Sequence, residues 1–106
     1  MFARIFEYKF TNLDQAKIAA NHCSMELGDK IDKFNIQSLS ITIGKCASLS
    51  IVAKFENNSD LQQFEKYASN LIDQLRKTFT FREGGFRGVM IFNYEGEAAL
   101  EAIDLS

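Results

Sequence analysis

Near the middle of the chain two runs alternate strictly between apolar and polar residues. Leu39, Ile41 and Ile43 stand against Ser38, Ser40 and Thr42, and Ala47, Leu49, Ile51, Ala53 and Phe55 then stand against Ser48 and Ser50. A period of two sends successive side chains to opposite sides of a strand. Each run therefore has one apolar side and one hydroxyl-lined side. The short link between them contains Gly44 and Lys45, which predicts a β-hairpin over residues 36–55. A two-stranded hairpin is marginal in water, so its apolar side must be covered by other elements of the chain.

The flanking segments carry the covering pattern. Leu13, Ala16, Ala20, Cys23 and Leu27 recur at intervals of three and four, which predicts a helix over 13–27. Asn12 is its expected N-cap, with Gln15 able to reach back to it, and Gly28 suits a left-handed C-terminal turn. Beyond Asn57, the residues Leu61, Phe64, Ala68, Leu71, Ile72, Leu75 and Phe79 mark a longer amphipathic helix. Ser59 and Gln62 form a capping-box pattern at its start, and Arg76 and Lys77 favour the negative end of its dipole. Residues 2–10 are rich in aromatics and alternate toward their end, as a strand does. A turn over 81–85 and a last strand over 86–94 complete the sequence of elements, because the second stretch is too apolar and bulky for a loop. An acidic tail at about 96–106 follows, with Leu100, Ile103 and Leu105 as anchors.

The order strand, helix, strand, strand, helix, strand is that of an α+β domain of ferredoxin-like type, an antiparallel sheet with both helices on one face. At 106 residues the chain is expected to form a single domain over 1–106, since two cores would each be too small to hold.

The outer strands leave one question open. Phe2, Arg4, Phe6, Tyr8 and Phe10 share one side of the first strand, and Ala3, Ile5, Glu7 and Lys9 the other. On the last, Met90 and Phe92 alternate with Val89 and Ile91. If Ile5, Val89 and Ile91 pack under the helices, Phe6, Tyr8, Met90 and Phe92 join the serines on an open, partly aromatic face of the kind that marks an interface or ligand site. If the large aromatics fill the core instead, the open face is merely semi-polar.

Charge and cysteine usage narrow the function classes. Fourteen acidic residues against twelve basic ones, with neither sign in a long run, provide no basic stripe for nucleic acid or anionic membranes. No apolar run approaches the roughly 20 residues of a membrane helix, and residues 1–9 interleave charges where a signal peptide would be apolar. A cytoplasmic protein is expected, with Cys23 and Cys46 reduced. Those cysteines lack CxxC spacing and have only His22 near them, so neither a metal site nor a cofactor is expected. His22 has no nucleophile tied to it and reads as a surface residue. The segment Arg82-Glu83-Gly84-Gly85-Phe86-Arg87-Gly88 leads into a strand, whereas phosphate-cradling loops lead into a helix, and it reads as a flexible turn. Residues 87–94 share the outline of an RNA-recognition signature, but Val89 and Ile91 replace the base-stacking aromatics. Glu7 and Glu56 have no visible partner for acid–base work.

The run Leu49-Ser50-Ile51-Val52-Ala53-Lys54-Phe55-Glu56-Asn57, followed by Ser59-Asp60-Leu61-Gln62-Gln63-Phe64, resembles the dimeric α+β barrel superfamily that includes antibiotic-biosynthesis monooxygenase-type domains. The resemblance covers most of the chain and implies two sheets packed face to face, with a pocket between each sheet and its helices. Phe55 stands where many members carry a tryptophan, and the second helix has no histidine. The expected function is a homodimer that binds a small, partly apolar ligand, as a cofactor-free monooxygenase or isomerase. The alternative is a non-catalytic interaction or regulatory module. Candidate ligand or interface residues are Arg4, Phe6, Tyr8, Ser38, Ser40, Ser48, Ser50, Met90 and Phe92.

Overall fold

In a computed structural model, which describes residues 1–94 and Gly96, the elements follow the expected order: β1 (Phe2–Phe10), α1 (Leu13–Gly28), β2 (Ser38–Ile43), β3 (Ser48–Phe55), α2 (Asn58–Arg76) and β4 (Phe81–Val89). The four strands form one antiparallel sheet in the order β2-β3-β1-β4. The fold is the ferredoxin-like α+β arrangement with both helices on one face. The acidic tail expected at about 96–106 lies outside the described residues apart from Gly96.

Each helix opens on an asparagine in extended backbone. Asn12 accepts a hydrogen bond from the amide of Gln15, and Asn57 accepts one from the amide of Asp60, both at 2.9 Å. Each satisfies a donor that the first helical turn leaves free. The expected details differ in three places. Gln15 does not return the cap's bond, and its Oε1 is buried without a partner. The second cap is Asn57, because Asn58 and Ser59 already belong to the helix. Gly28 ends α1 without a left-handed residue, since Asp29 continues in right-handed geometry (φ −73°).

The register sorts side chains into rows across the sheet. On the helix side the rows are Leu39–Ala53–Arg4–Arg87, Ile41–Ile51–Phe6–Gly85 and Ile43–Leu49–Tyr8–Glu83. On the open side they are Ser38–Lys54–Ala3–Gly88, Ser40–Val52–Ile5–Phe86 and Thr42–Ser50–Glu7–Gly84. The core lies entirely on the helix side: Phe6, Tyr8, Phe10, Leu49, Ile51, Ala53 and Phe55 are buried with Ala16, Ala19, Cys23 and Leu27 of α1 and Leu61, Phe64, Ala68 and Leu71 of α2. Phe64 is fully buried, with ring centroids of Phe55, Phe34 and Phe6 at 5.3, 6.0 and 6.2 Å. Burying one such ring stabilises by about 1.5–3 kcal/mol, so this cluster holds α2 to the sheet.

Two expectations are corrected here. Phe6 and Tyr8 lie under the helices, not on the open face, and Ile5 takes the open side. The physical reason is volume: the larger apolar set of a strand removes more area from water when buried, and Phe6, Tyr8 and Phe10 outweigh Ala3 and Ile5. β4 runs over Phe81–Val89, not 86–94, so the expected turn at 81–85 is strand and Met90 and Phe92 lie past the strand's end. Phe81 fixes this start, pairing with Phe10 in register and packing its ring 5.0 Å from the ring of Phe10. Gly85 sustains it. With φ +126° it brings β4 so close to β1 that a Cβ would stand 2.0 Å from the Ile5 carbonyl oxygen.

Candidate functional site

On the helix side of the sheet a gap opens beside β4. There the row ends in Gly85, which has no side chain, between Glu83 and Arg87. The space left between β1, β4 and α2 is a cavity of about 180 Å³. Phe6, Tyr8 and Ile72 form its apolar wall, and Arg4, Glu65, Asp73, Arg76 and Glu83 its polar one, with Ser69 and Gly84 completing it.

The charged residues are engaged with one another. Arg4 Nε donates to Glu65 Oε2 at 2.8 Å while its guanidinium carbon sits 4.2 Å from the Phe6 ring centroid. Arg87 reaches the other oxygen of Glu65 at 3.5 Å. Arg76 pairs with Glu83 across the cavity and lies 3.8 Å from Asp73 on its own helix. These side chains are partly exposed, so each pair contributes little to stability, but together they fix the charged wall in place.

Tyr8 is the exception. It is 5% exposed, packs edge-on against Phe81 and stacks on Phe6, yet its hydroxyl has no hydrogen-bond partner among the described residues. The ring is buried, but the hydroxyl is not sealed off: it opens on the cavity with no protein acceptor, so an occupant can take its hydrogen bond. Burial pushes the phenol's pKa well above its ordinary value, with the thiol of Cys23 adding to the rise, while Arg4 and Arg76 pull the other way and lose. Tyr8 is therefore a protonated donor at neutral pH.

Of the residues expected at a site, the structure brings Arg4, Phe6 and Tyr8 together here. Ser48 and Ser50 are on the other side of the sheet, in a broader depression of about 400 Å³ shared with Glu7, Lys9, Thr42 and Arg82. Ser38 and Ser40 lie on the open face of β2 and line neither hollow. Met90 follows β4, its amide bonded to the Met1 carbonyl, and Phe92 is 82% exposed. The α2 contribution was not anticipated. Its signal is present in the spacing: Glu65, Ser69, Ile72, Asp73 and Arg76 fall at helical intervals along a strip beside the buried stripe.

On the open face, Val52, Ile5 and Phe86 lie side by side across three strands, and Phe86 is 61% exposed. His22 is exposed on α1, and Cys23 and Cys46 are both free. Among the described residues no cluster of His, Cys, Asp and Glu could hold a metal ion, and no helix is long and apolar enough to cross a membrane.

No protein-family model and no curated protein matches the chain. A solved structure does match it: a dimeric ferredoxin-like protein from an uncultured marine organism, with a TM-score of 0.68, covering 90% of this chain and 98% of its own. The two are 15% identical, and at that level the likeness carries the fold alone.

Proposed function

We propose that this chain, as a single-domain cytoplasmic protein, forms a homodimer by packing open sheet face on open sheet face, and that each subunit holds a small, partly apolar molecule between β1, β4 and α2. The observation that carries the reading is Tyr8, a buried phenol with no partner of its own, lining a cavity with one apolar and one polar wall. Small-molecule sites pair apolar walls with placed polar groups, and this cavity has both, with charged side chains making up half of its lining. The dimer is supported by the apolar open-face row Val52–Ile5–Phe86, in which Phe86 is exposed, by the dimeric state of the ferredoxin-like neighbour, and by the resemblance to face-to-face barrels. Two free thiols suit a reducing compartment.

Of the two cofactor-free chemistries expected, isomerisation is the one this lining suits. A phenol kept protonated by burial polarises a carbonyl, and Asp73 and Glu83 stand along the same cavity to accept a proton. The second reading, a non-catalytic interaction module, draws on the exposure of Phe86, Val89, Ile91 and Phe92. Native mass spectrometry separates them. A species at twice 12.0 kDa carrying an extra small mass is the expected result. A dimer that retains no mass and binds no small probe favours the interaction module, and a bare monomer overturns the proposed assembly.

A further inference from the structure

We infer that the cavity between β1, β4 and α2 selects an uncharged, ring-sized molecule bearing an oxygen that accepts a hydrogen bond from Tyr8, and rejects carboxylates of the same size. The inference deepens the small-ligand reading above and rests on it.

Size sets the first limit. An enclosed apolar cavity of about 150 Å³ accommodates benzene, so the roughly 180 Å³ here holds one ring with a short substituent. Shape sets the second. Phe6 and Ile72, both nearly buried, offer apolar surface for the ring, and Tyr8 lies beside Phe6 in a stacked pair with centroids 6.3 Å apart.

Charge decides between ligand classes. Two arginines in a small cavity suggest an anion site at first sight. Both guanidiniums are already neutralised, Arg4 by Glu65 and Arg76 by Glu83 and Asp73, and Arg87 adds a second contact to Glu65. Three carboxylates face two guanidiniums in the lining. An incoming carboxylate would have to displace one of them or sit beside them with no uncommitted cation, and either is less favourable than leaving the ion pairs as they stand. The third carboxylate is met from outside the lining, since Arg87 reaches Glu65, so a ligand ammonium finds each carboxylate already engaged by an arginine. What remains without a protein partner among the described residues is the hydroxyl of Tyr8, a donor at neutral pH, together with that of Ser69 in the same lining. A neutral hydroxyl or carbonyl oxygen satisfies it without disturbing any ion pair.

Three probes of one size test this on the wild-type chain: benzyl alcohol, benzoate and benzylammonium, each titrated while backbone amide shifts are followed by NMR. Benzyl alcohol is expected to bind in the millimolar range and to move the amides of Arg4, Phe6, Ser69 and Arg76, with benzoate at least about ten-fold weaker. Tyr8→Phe, which removes one hydroxyl from a site that tolerates the ring, should weaken benzyl alcohol about five-fold and leave benzylammonium unchanged. Benzoate or benzylammonium binding more tightly than the alcohol at these same residues overturns the inference and leaves the pocket standing. Absence of shifts at these residues with all three probes overturns the pocket itself. The probe ranking is read on the wild-type protein, so it decides the matter even if the variant folds poorly.

Discussion

The two faces of the sheet are built from the same strands, yet they differ in almost every physical respect. On the helix side, the rows through Phe6 and Tyr8 pack under α1 and α2, and the apolar side chains of β1 and β3 there are nearly all buried. On the open side, the row Ser38–Lys54–Ala3–Gly88 has one apolar side chain and the row Thr42–Ser50–Glu7–Gly84 none, and the central row alone is apolar across three strands. Neighbouring residues of β1 therefore live in different solvents. A sheet edge adds a third environment, because beside Glu83 and Gly84 of β4 polar groups and a cavity meet.

The sharpest way to break this contrast is to place the same charge on either side of β1. Phe6→Asp puts a carboxylate among Phe64, Tyr8 and Ile51. Losing the ring costs about 3–5 kcal/mol, and an unpaired buried charge adds to it. Since most domains hold only about 5–15 kcal/mol in all, the variant is expected to be unfolded, with collapsed amide dispersion in its NMR spectrum. Ile5→Asp, one residue away, should remain folded at a cost of about 1–2 kcal/mol in urea unfolding of the isolated subunit, because the half-buried open side lets a carboxylate reach water. Equal behaviour of the two would mean that the faces are not distinct.

A backbone contrast of smaller effect lies in the paired glycines of β4. Gly85→Ala forces a side chain into positive φ and into the Ile5 carbonyl oxygen, and should cost about 3 kcal/mol or more and loosen β4 from β1. Gly84→Ala, on the open side with no atom within 4 Å of its Cβ, should stay within about 0.5 kcal/mol of wild type. Urea midpoints and amide exchange of β1 and β4 check both.

These variants also expose what the sequence could and could not convey. The hairpin and both helical stripes are readable because alternation in β2 and β3, and the three-and-four spacing around Phe64, each fit one period alone. β1 has apolar residues on both sides, so periodicity cannot choose a face; total side-chain volume chooses it, and Phe6, Tyr8 and Phe10 go inward. β4 misleads for a different reason. Arg82, Glu83, Gly84 and Gly85 have the composition of a turn, and what makes them a strand is a long-range fact, the close approach to Ile5, that no local pattern carries. The site inherits both difficulties. Arg4, Phe6 and Tyr8 stand out as unusual residues of one strand, but the wall from α2 and Glu83 becomes visible once the true register of β4 is known.

The two cysteines carry the contrast into pH dependence. Cys23 is fully buried in α1, and burial pushes its thiol up to about 11 from an ordinary value near 9. The folded chain thus keeps its proton longer than the unfolded chain. Stability is intact below pH 9 and falls as pH rises from 9 to 11, by roughly 2–3 kcal/mol, once the unfolded thiol ionises. Cys46, exposed in the hairpin turn and hydrogen-bonded to Ser48, has its pKa lowered by that bond. Urea midpoints at pH 8 and pH 11 should converge partly in Cys23→Ala. Iodoacetamide should modify Cys46 in the native protein and Cys23 only after unfolding.

The smallest expected effect on the fold of one subunit is the most informative about assembly. Phe86 faces away from the core, 61% exposed, next to Ile5 and Val52. Phe86→Ser should change the stability of an isolated subunit by no more than about 0.5 kcal/mol, because the ring has little burial to lose there. If a second copy covers this face, the same ring becomes a desolvated aromatic at the centre of the contact, where truncation costs about 2 kcal/mol or more of association. That is a thirty-fold or so weakening, visible as a concentration-dependent shift from dimer to monomer in sedimentation. A variant with unchanged sedimentation would remove the open face from the interface and leave the exposed edge of β4 as the surface to test next.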